Sequence, residues 1–316
     1  YHRKTIDDRS LPVDGGKSME VKCYEMKYKN YGNCICLENG TIKLIATIDV
    51  GPRIVFFGFC DGQNVLFEDT ERNFYEINKG YGVWYAYGGH RIWCAPETVP
   101  ETYLPDNSKV NVDYDGNTLT LTPAKTAFGK QFSLTITMNE ENAVFVENRI
   151  TNCSGKAAEF APWSVTGLAA GGTEIIPLCS DNNGFLPNRT MSLWSYSDVK
   201  DERFTLSDKY ALLKHDPSAK KAFKVGFNVT GGQIIYVNGS QIFRKSFEDY
   251  KNTSYPDFCC NFETYTNNLF LECEILGEMK KYQPGETASI TEKWELRSSD
   301  WNADKVINEY ISNITS

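Results

Sequence analysis

The sequence predicts an all-β protein, a large sandwich of antiparallel sheets with a short C-terminal helix. Three observations carry this. Runs rich in Val, Ile, Thr and aromatic residues recur with even density from residue 20 to 297. Tight-turn dipeptides punctuate them at Asn39-Gly40, Asp61-Gly62, Asp115-Gly116 and Asn238-Gly239. Helical period is confined to two segments.

In chain order, Cys23 to Tyr28, Asn33 to Glu38 and Thr41 to Asp49 form the first strands, the last two joined at Asn39-Gly40. Val110 to Tyr114 pairs with Thr118 to Thr122, and Phe132 to Met138 with Ala143 to Thr151. Gln233 to Val237 and Gln241 to Phe247 follow, then a strand pair within Tyr255 to Gly277, then Thr287 to Arg297. The two helical segments are Asp198 to Leu213 and Asp300 to Ile314. In the second, Val306, Ile307, Tyr310, Ile311 and Ile314 share one face behind an Asp300 cap. Residues 1–18 read as a polar leader or appended remnant, with Met19 a native start. No linker divides residues 19–316, which are therefore expected to form one domain. About 270 residues of antiparallel strands exceed an immunoglobulin-like sandwich and suggest a larger one with a ligand cleft.

Composition narrows the function class. A net charge of -8 without Lys/Arg clusters argues against nucleic acid and anionic membrane as partners. No apolar run reaches the roughly 18 residues of a membrane span, and no secretory leader pattern opens the sequence. The ten cysteines lack a C-x-x-C pair, so no metal site is expected and buried free thiols fit. That points to a reducing cytoplasm. Secretion is the alternative, because seven N-x-S/T triplets begin at Asn39, Asn152, Asn188, Asn228, Asn238, Asn252 and Asn313.

The densest chemical run is Tyr87-Gly88-Gly89-His90-Arg91-Ile92-Trp93-Cys94-Ala95-Pro96-Glu97. Sugar sites need this mixture, with indoles over the C–H face of a pyranose, charged groups on its hydroxyls and glycines that admit backbone. Arg53 in DVGPRI and Trp163 in APWSVT add a guanidinium and an indole. Glu263, set in the apolar, amide-rich run YPDFCCNFETYTNNLFLECEILG, is the first acid candidate; alternatively it is a solvent-facing strand carboxylate.

Taken together, DVGPRI, GGHRIWCAPE, YLPDN, APWSVTGLAAGG, YPDFCCNFETYTNNLFLECEILG and PGETASITEKWEL resemble an uncharacterised, mainly bacterial family of galactose-mutarotase-like β-supersandwich proteins, over roughly residues 20–298. The resemblance implies that fold and a looser kinship to aldose 1-epimerases, cofactor-independent isomerases in which a late-strand Glu is the catalytic base. Phe262-Glu263-Thr264-Tyr265 is similar to that context and would make Glu263 the base. The histidine that such epimerases carry in an Asn-His-Ser-Tyr-Phe-like stretch is missing here, where Pro162-Trp163-Ser164-Val165-Thr166 stands instead. His90 is then the histidine left for the acid. Mutarotation needs a base for the anomeric hydroxyl and an acid for the ring oxygen, which opens the ring. On this reading Glu263 and His90 are catalytic and meet in one pocket, while Arg53, Arg91, Trp93, Glu97, Trp163 and Lys245 bind a monosaccharide or derivative. Three cations would suit an anionic sugar. The alternative is a carbohydrate-binding protein that kept the cleft and lost the chemistry.

Overall fold

In the computed structural model, which describes residues 20–251 and 253–311, three of the four turn signals close antiparallel hairpins, while Asp61-Gly62 follows the strand Arg53–Phe59 without joining it to a partner strand. Asn39-Gly40 joins Asn33–Glu38 to Ile42–Thr47. Asp115-Gly116 joins Asn111–Asp115 to Thr118–Thr122, and Asn238-Gly239 joins Gln233–Asn238 to Gln241–Phe247. Gly40, Gly116 and Gly239 all adopt the positive φ such turns require.

These hairpins assemble into two packed sheets. The first runs Lys22–Lys27, Asn33–Glu38, Ile42–Thr47, Arg53–Phe59, His90–Ala95, Ala158–Leu168, Leu271–Leu276, Phe262–Thr266, Phe223–Phe227, Met191–Leu193, with Lys280–Tyr282 added beside Ala158–Leu168. The second runs Phe204–Leu206, Tyr210–Lys214, Thr173–Pro177, Gln233–Asn238, Gln241–Phe247, Thr287–Ser298, Ala143–Asn152, Lys130–Met138, Thr118–Thr122, Asn111–Asp115. Between them lies an apolar core that includes Phe57, Val146, Phe243, Phe262, Ile275 and Trp294. This is the all-β supersandwich expected from the sequence.

The sheets differ in how their outer faces are covered. Along Lys130–Met138 and Ala143–Asn152 of the second, buried and half-exposed residues alternate, the pattern of a sheet with one wet face. Leu271–Leu276 and nearly all of Ala158–Leu168 in the first are buried on both faces. The hairpin Tyr75–Asn78/Gly82–Tyr85 and the loop 96–109 lie against that sheet's outer side.

Two local expectations are corrected. Residues 198–213 hold no helix: Phe204–Leu206 and Tyr210–Lys214 form a hairpin. Its turn is set by Ser207, whose hydroxyl oxygen accepts from Tyr210 N at 3.1 Å. The C-terminal helix is present but short, with Ala303–Val306 continuing into Ile307–Ile311. Its cap is Asn302, not Asp300; the Asn302 side chain accepts from Lys305 N at 3.0 Å. Val306 and Ile307, the two members of the expected apolar face whose side chains are described, pack on Ile175 and Ile235. Ile314, the leader 1–18 and the triplets at Asn252 and Asn313 lie outside the described residues.

Candidate functional site

Strand alternation sends neighbours to opposite faces of a sheet, and this sorts the predicted residues. Register aligns Arg91, Val165, Glu274 and Glu263 across four adjacent strands, with Trp93 beside Trp163 and Tyr265 beside Glu272. These side chains share the outer face. His90, Thr166, Cys273 and Thr264 align one residue away and face the core.

On the outer face lies a cavity of about 360 Å³ whose lining includes Arg91, Trp93, Glu97, Trp163, Lys224 and Glu274. Its size suits a small ligand. Trp93 and Trp163 stand in edge contact, ring centroids 5.1 Å apart. The Arg91 guanidinium lies 4.0 Å from the Trp93 centroid and donates to Glu272 Oε1 at 3.1 Å. Lys224 Nζ sits between the indoles of Trp163 and Trp194, at 4.8 and 4.6 Å, and bridges two carboxylates, Glu263 at 2.8 Å and Glu274 at 3.0 Å. Trp163 Nε1 donates to Glu274 Oε2 at 2.8 Å. At the rim, Glu97 accepts the Tyr103 hydroxyl at 2.7 Å.

Burial governs the charges here. It pushes the Glu263 and Glu274 carboxyls above the usual carboxylate range, with Lys224 opposing. Burial would lower the Lys224 ammonium, but Glu274 and Glu263 outweigh it and raise its pKa, so Lys224 stays charged. Glu263 lies beneath Lys224, 1% exposed and not on the cavity lining, its buried Oε1 without a hydrogen-bond partner among the described residues.

Three expected site residues are elsewhere. His90 does not share a pocket with Glu263, because it sits fully buried between the sheets, on the other face of the same sheet. Its Nδ1 lies 2.8 Å from Thr166 Oγ1 and its Nε2 2.7 Å from Asn148 Oδ1. The Asn148 Oδ1 can only accept, so in the neutral ring Nε2 carries the imidazole hydrogen and Nδ1 accepts the Thr166 hydroxyl, whose oxygen in turn accepts from Lys245 at 2.7 Å. Burial lowers the His90 pKa to about 4, the nearby Glu292 opposing, so the ring is neutral at pH 7. Lys245 is also interior, paired with Glu292 at 2.9 Å. Arg53 is fully buried and acts as a clamp, donating to the carbonyls of Ala86 at 2.9 Å and Tyr85 at 3.2 Å and pairing with Asp106 at 2.8 Å. The cleft cations are thus Arg91 and Lys224, each matched by carboxylate, and the three-cation argument for an anionic sugar does not hold at this cavity.

Lys224, Glu272 and Glu274 escaped the sequence reading. The last two were visible in Leu271-Glu272-Cys273-Glu274-Ile275, where acids at alternate positions of an apolar strand share one face. Lys224 in Phe223-Lys224-Val225-Gly226-Phe227 carries the same signal.

No family model and no curated protein matches this sequence. Solved structures do match in fold. A candidate aldose 1-epimerase from Klebsiella pneumoniae subsp. pneumoniae superposes with a TM-score of 0.62 at 11% identity, covering 93% of this chain and 88% of that one. A galactose mutarotase-like protein from Clostridium acetobutylicum gives 0.51 at 11% identity, covering 88% and 99%. A TPR-domain containing protein from Parabacteroides distasonis gives 0.60 at 14% identity over 87% of this chain, which spans about half (48%) of that protein.

Proposed function

We propose that this chain, which has the galactose-mutarotase-like fold, recognises a monosaccharide or sugar derivative in the outer-face cavity of its first sheet. One observation carries the reading: Trp93 and Trp163 stand in ring contact on a wall from which Arg91, Lys224, Glu272 and Glu274 also project. Indole faces cover the apolar side of a pyranose, and fixed charged groups take its hydroxyls. The epimerase- and mutarotase-named neighbours support a sugar-related role at the level of fold.

A second reading, aldose 1-epimerase-type mutarotation, is favoured by the carboxylates. Two glutamates raised by burial share one ammonium, so one of them can hold a proton while the other is ionised. Glu274, on the cavity lining, would then be the acid to the ring oxygen, and Glu272, paired with Arg91, the base to the anomeric hydroxyl. Glu263, expected from the sequence to be the base, becomes the residue that holds Lys224.

A thermal-shift screen against hexoses, uronic acids and sugar phosphates tests recognition, since a bound ligand stabilises by mass action. At least one sugar should raise the melting temperature, and Trp163→Ala should remove the rise. No response from any sugar would end the sugar reading. NMR exchange between anomers tests the chemistry: wild type should accelerate it over buffer, and Glu274→Gln should bind while losing the acceleration. Binding without acceleration in wild type would leave recognition alone.

A further inference from the structure

A second, larger cavity of about 440 Å³ adjoins the cleft. The loop 96–109 stands between them, turning Glu97 and Tyr103 to the cleft and residues such as Thr102, Asp106 and Lys109 to the second cavity. Arg91 and Trp93 line both. Trp93 is only partly buried, and Tyr81, also on the lining, is 44% exposed, so two aromatic rings are open to a ligand there.

Its charges do not balance. The Asp106 carboxylate is taken by Arg53 and that of Glu101 by Lys130. Among the described residues Lys109 and Lys125 have no ion-pair partner, although both line the cavity. At the shared wall, Arg91 is 5% exposed, and among the described residues its buried Nε has no acceptor.

We propose that the second cavity is a further saccharide subsite and that the ligand is an acidic oligosaccharide of at least two units. One ring occupies the cleft; the next crosses the exposed edge of Trp93 and directs its carboxylate to Lys109 and Lys125. This rests on the sugar reading above and adds chain length and charge to it.

Isothermal titration of galactose, galacturonate, digalacturonate and neutral galactobiose into wild type and a Lys109→Gln/Lys125→Gln double variant tests it. The dimer should bind wild type about tenfold more tightly than galacturonate, a difference of about 1.4 kcal/mol. The double variant should lose most of that gain yet bind galacturonate within about twofold of wild type, because neither lysine lines the cleft. Equal affinity of monomer and dimer, a gain unchanged in the variant, or galactobiose matching digalacturonate would overturn the proposal while leaving monosaccharide recognition standing. Failure of every sugar, galactose and galacturonate included, would instead remove the sugar reading itself.

Discussion

Lys224 is one ammonium serving two buried carboxylates, at 2.8 and 3.0 Å. Removing one partner of a buried ionic group costs far more than the group contributes, because the charges left behind are desolvated and unpaired. Lys224→Met should therefore destabilise by about 3–5 kcal/mol in urea unfolding, and adding Glu263→Gln should recover part of the loss. Two other buried titratable residues bracket the stability profile. The His90 pKa is lowered by burial to about 4, so the unfolded chain takes up a proton first as pH falls below 6.5, and stability drops between 6.5 and 4. Burial raises the Glu174 carboxyl to about 8, with Thr264 and Cys273 beside it. There the folded chain keeps a proton that the unfolded chain has lost, so stability falls as pH rises from 4.5 toward 8. Glu174→Gln should raise the melting temperature at pH 8 and change it little near pH 4.5. An equal effect at both pH values would contradict a protonated Glu174.

At the scale of elements, the strand His90–Ala95 meets Arg53–Phe59 through a single register pair, Ile54 with His90. Close approach just before it depends on Gly89, at φ 69°, where an added Cβ would stand 2.0 Å from the Ile54 carbonyl oxygen. No side-chain rotation relieves a clash with backbone. Gly89→Ala should cost at least about 2 kcal/mol in denaturant unfolding. Because Arg91 and Trp93 ride on that strand, it should weaken sugar binding too. Much at this scale is legible in the sequence: dipeptide turns and β-branched runs locate the hairpins at Asn39, Asp115 and Asn238 within a residue or two, but not the hairpin Tyr75–Asn78/Gly82–Tyr85 or the strands Thr173–Pro177 and Phe223–Phe227. Residues 198–213 depart from the helix that their composition suggests because the side-chain-to-backbone bonds of Ser207 build a turn there.

For the whole molecule, all ten cysteines are free; six are buried, two half-buried, and Cys153 and Cys259 are exposed. Thiol titration should show two fast-reacting groups in the native protein and ten after denaturation without reductant. Fewer than ten would mean disulfides in the purified protein. The buried side chains of Asn39 and Asn152 are spent on the backbone, donating to the Asn139 carbonyl at 3.0 Å and the Lys156 carbonyl at 2.9 Å. Neither offers a free side-chain amide in the folded state.

What the sequence determined by itself is what local chemistry encodes. Turn dipeptides and the two-residue period of side chains specify strands, and the motif resemblance specifies how they fold. Four of the residues it singles out, Arg91, Trp93, Glu97 and Trp163, line one cavity. Tertiary structure decided which face of each strand meets the core. His90 and Arg91 are adjacent in the chain, yet one is sealed between the sheets with Lys245 and Glu292 while the other lines the cleft. Composition cannot foretell that, because both faces of this sheet are buried and the usual contrast of apolar inside and polar outside disappears. The pairing of Lys224 with Glu263 and Glu274 was hidden for a related reason: it joins three strands whose neighbour relations exist only after the sheet has closed.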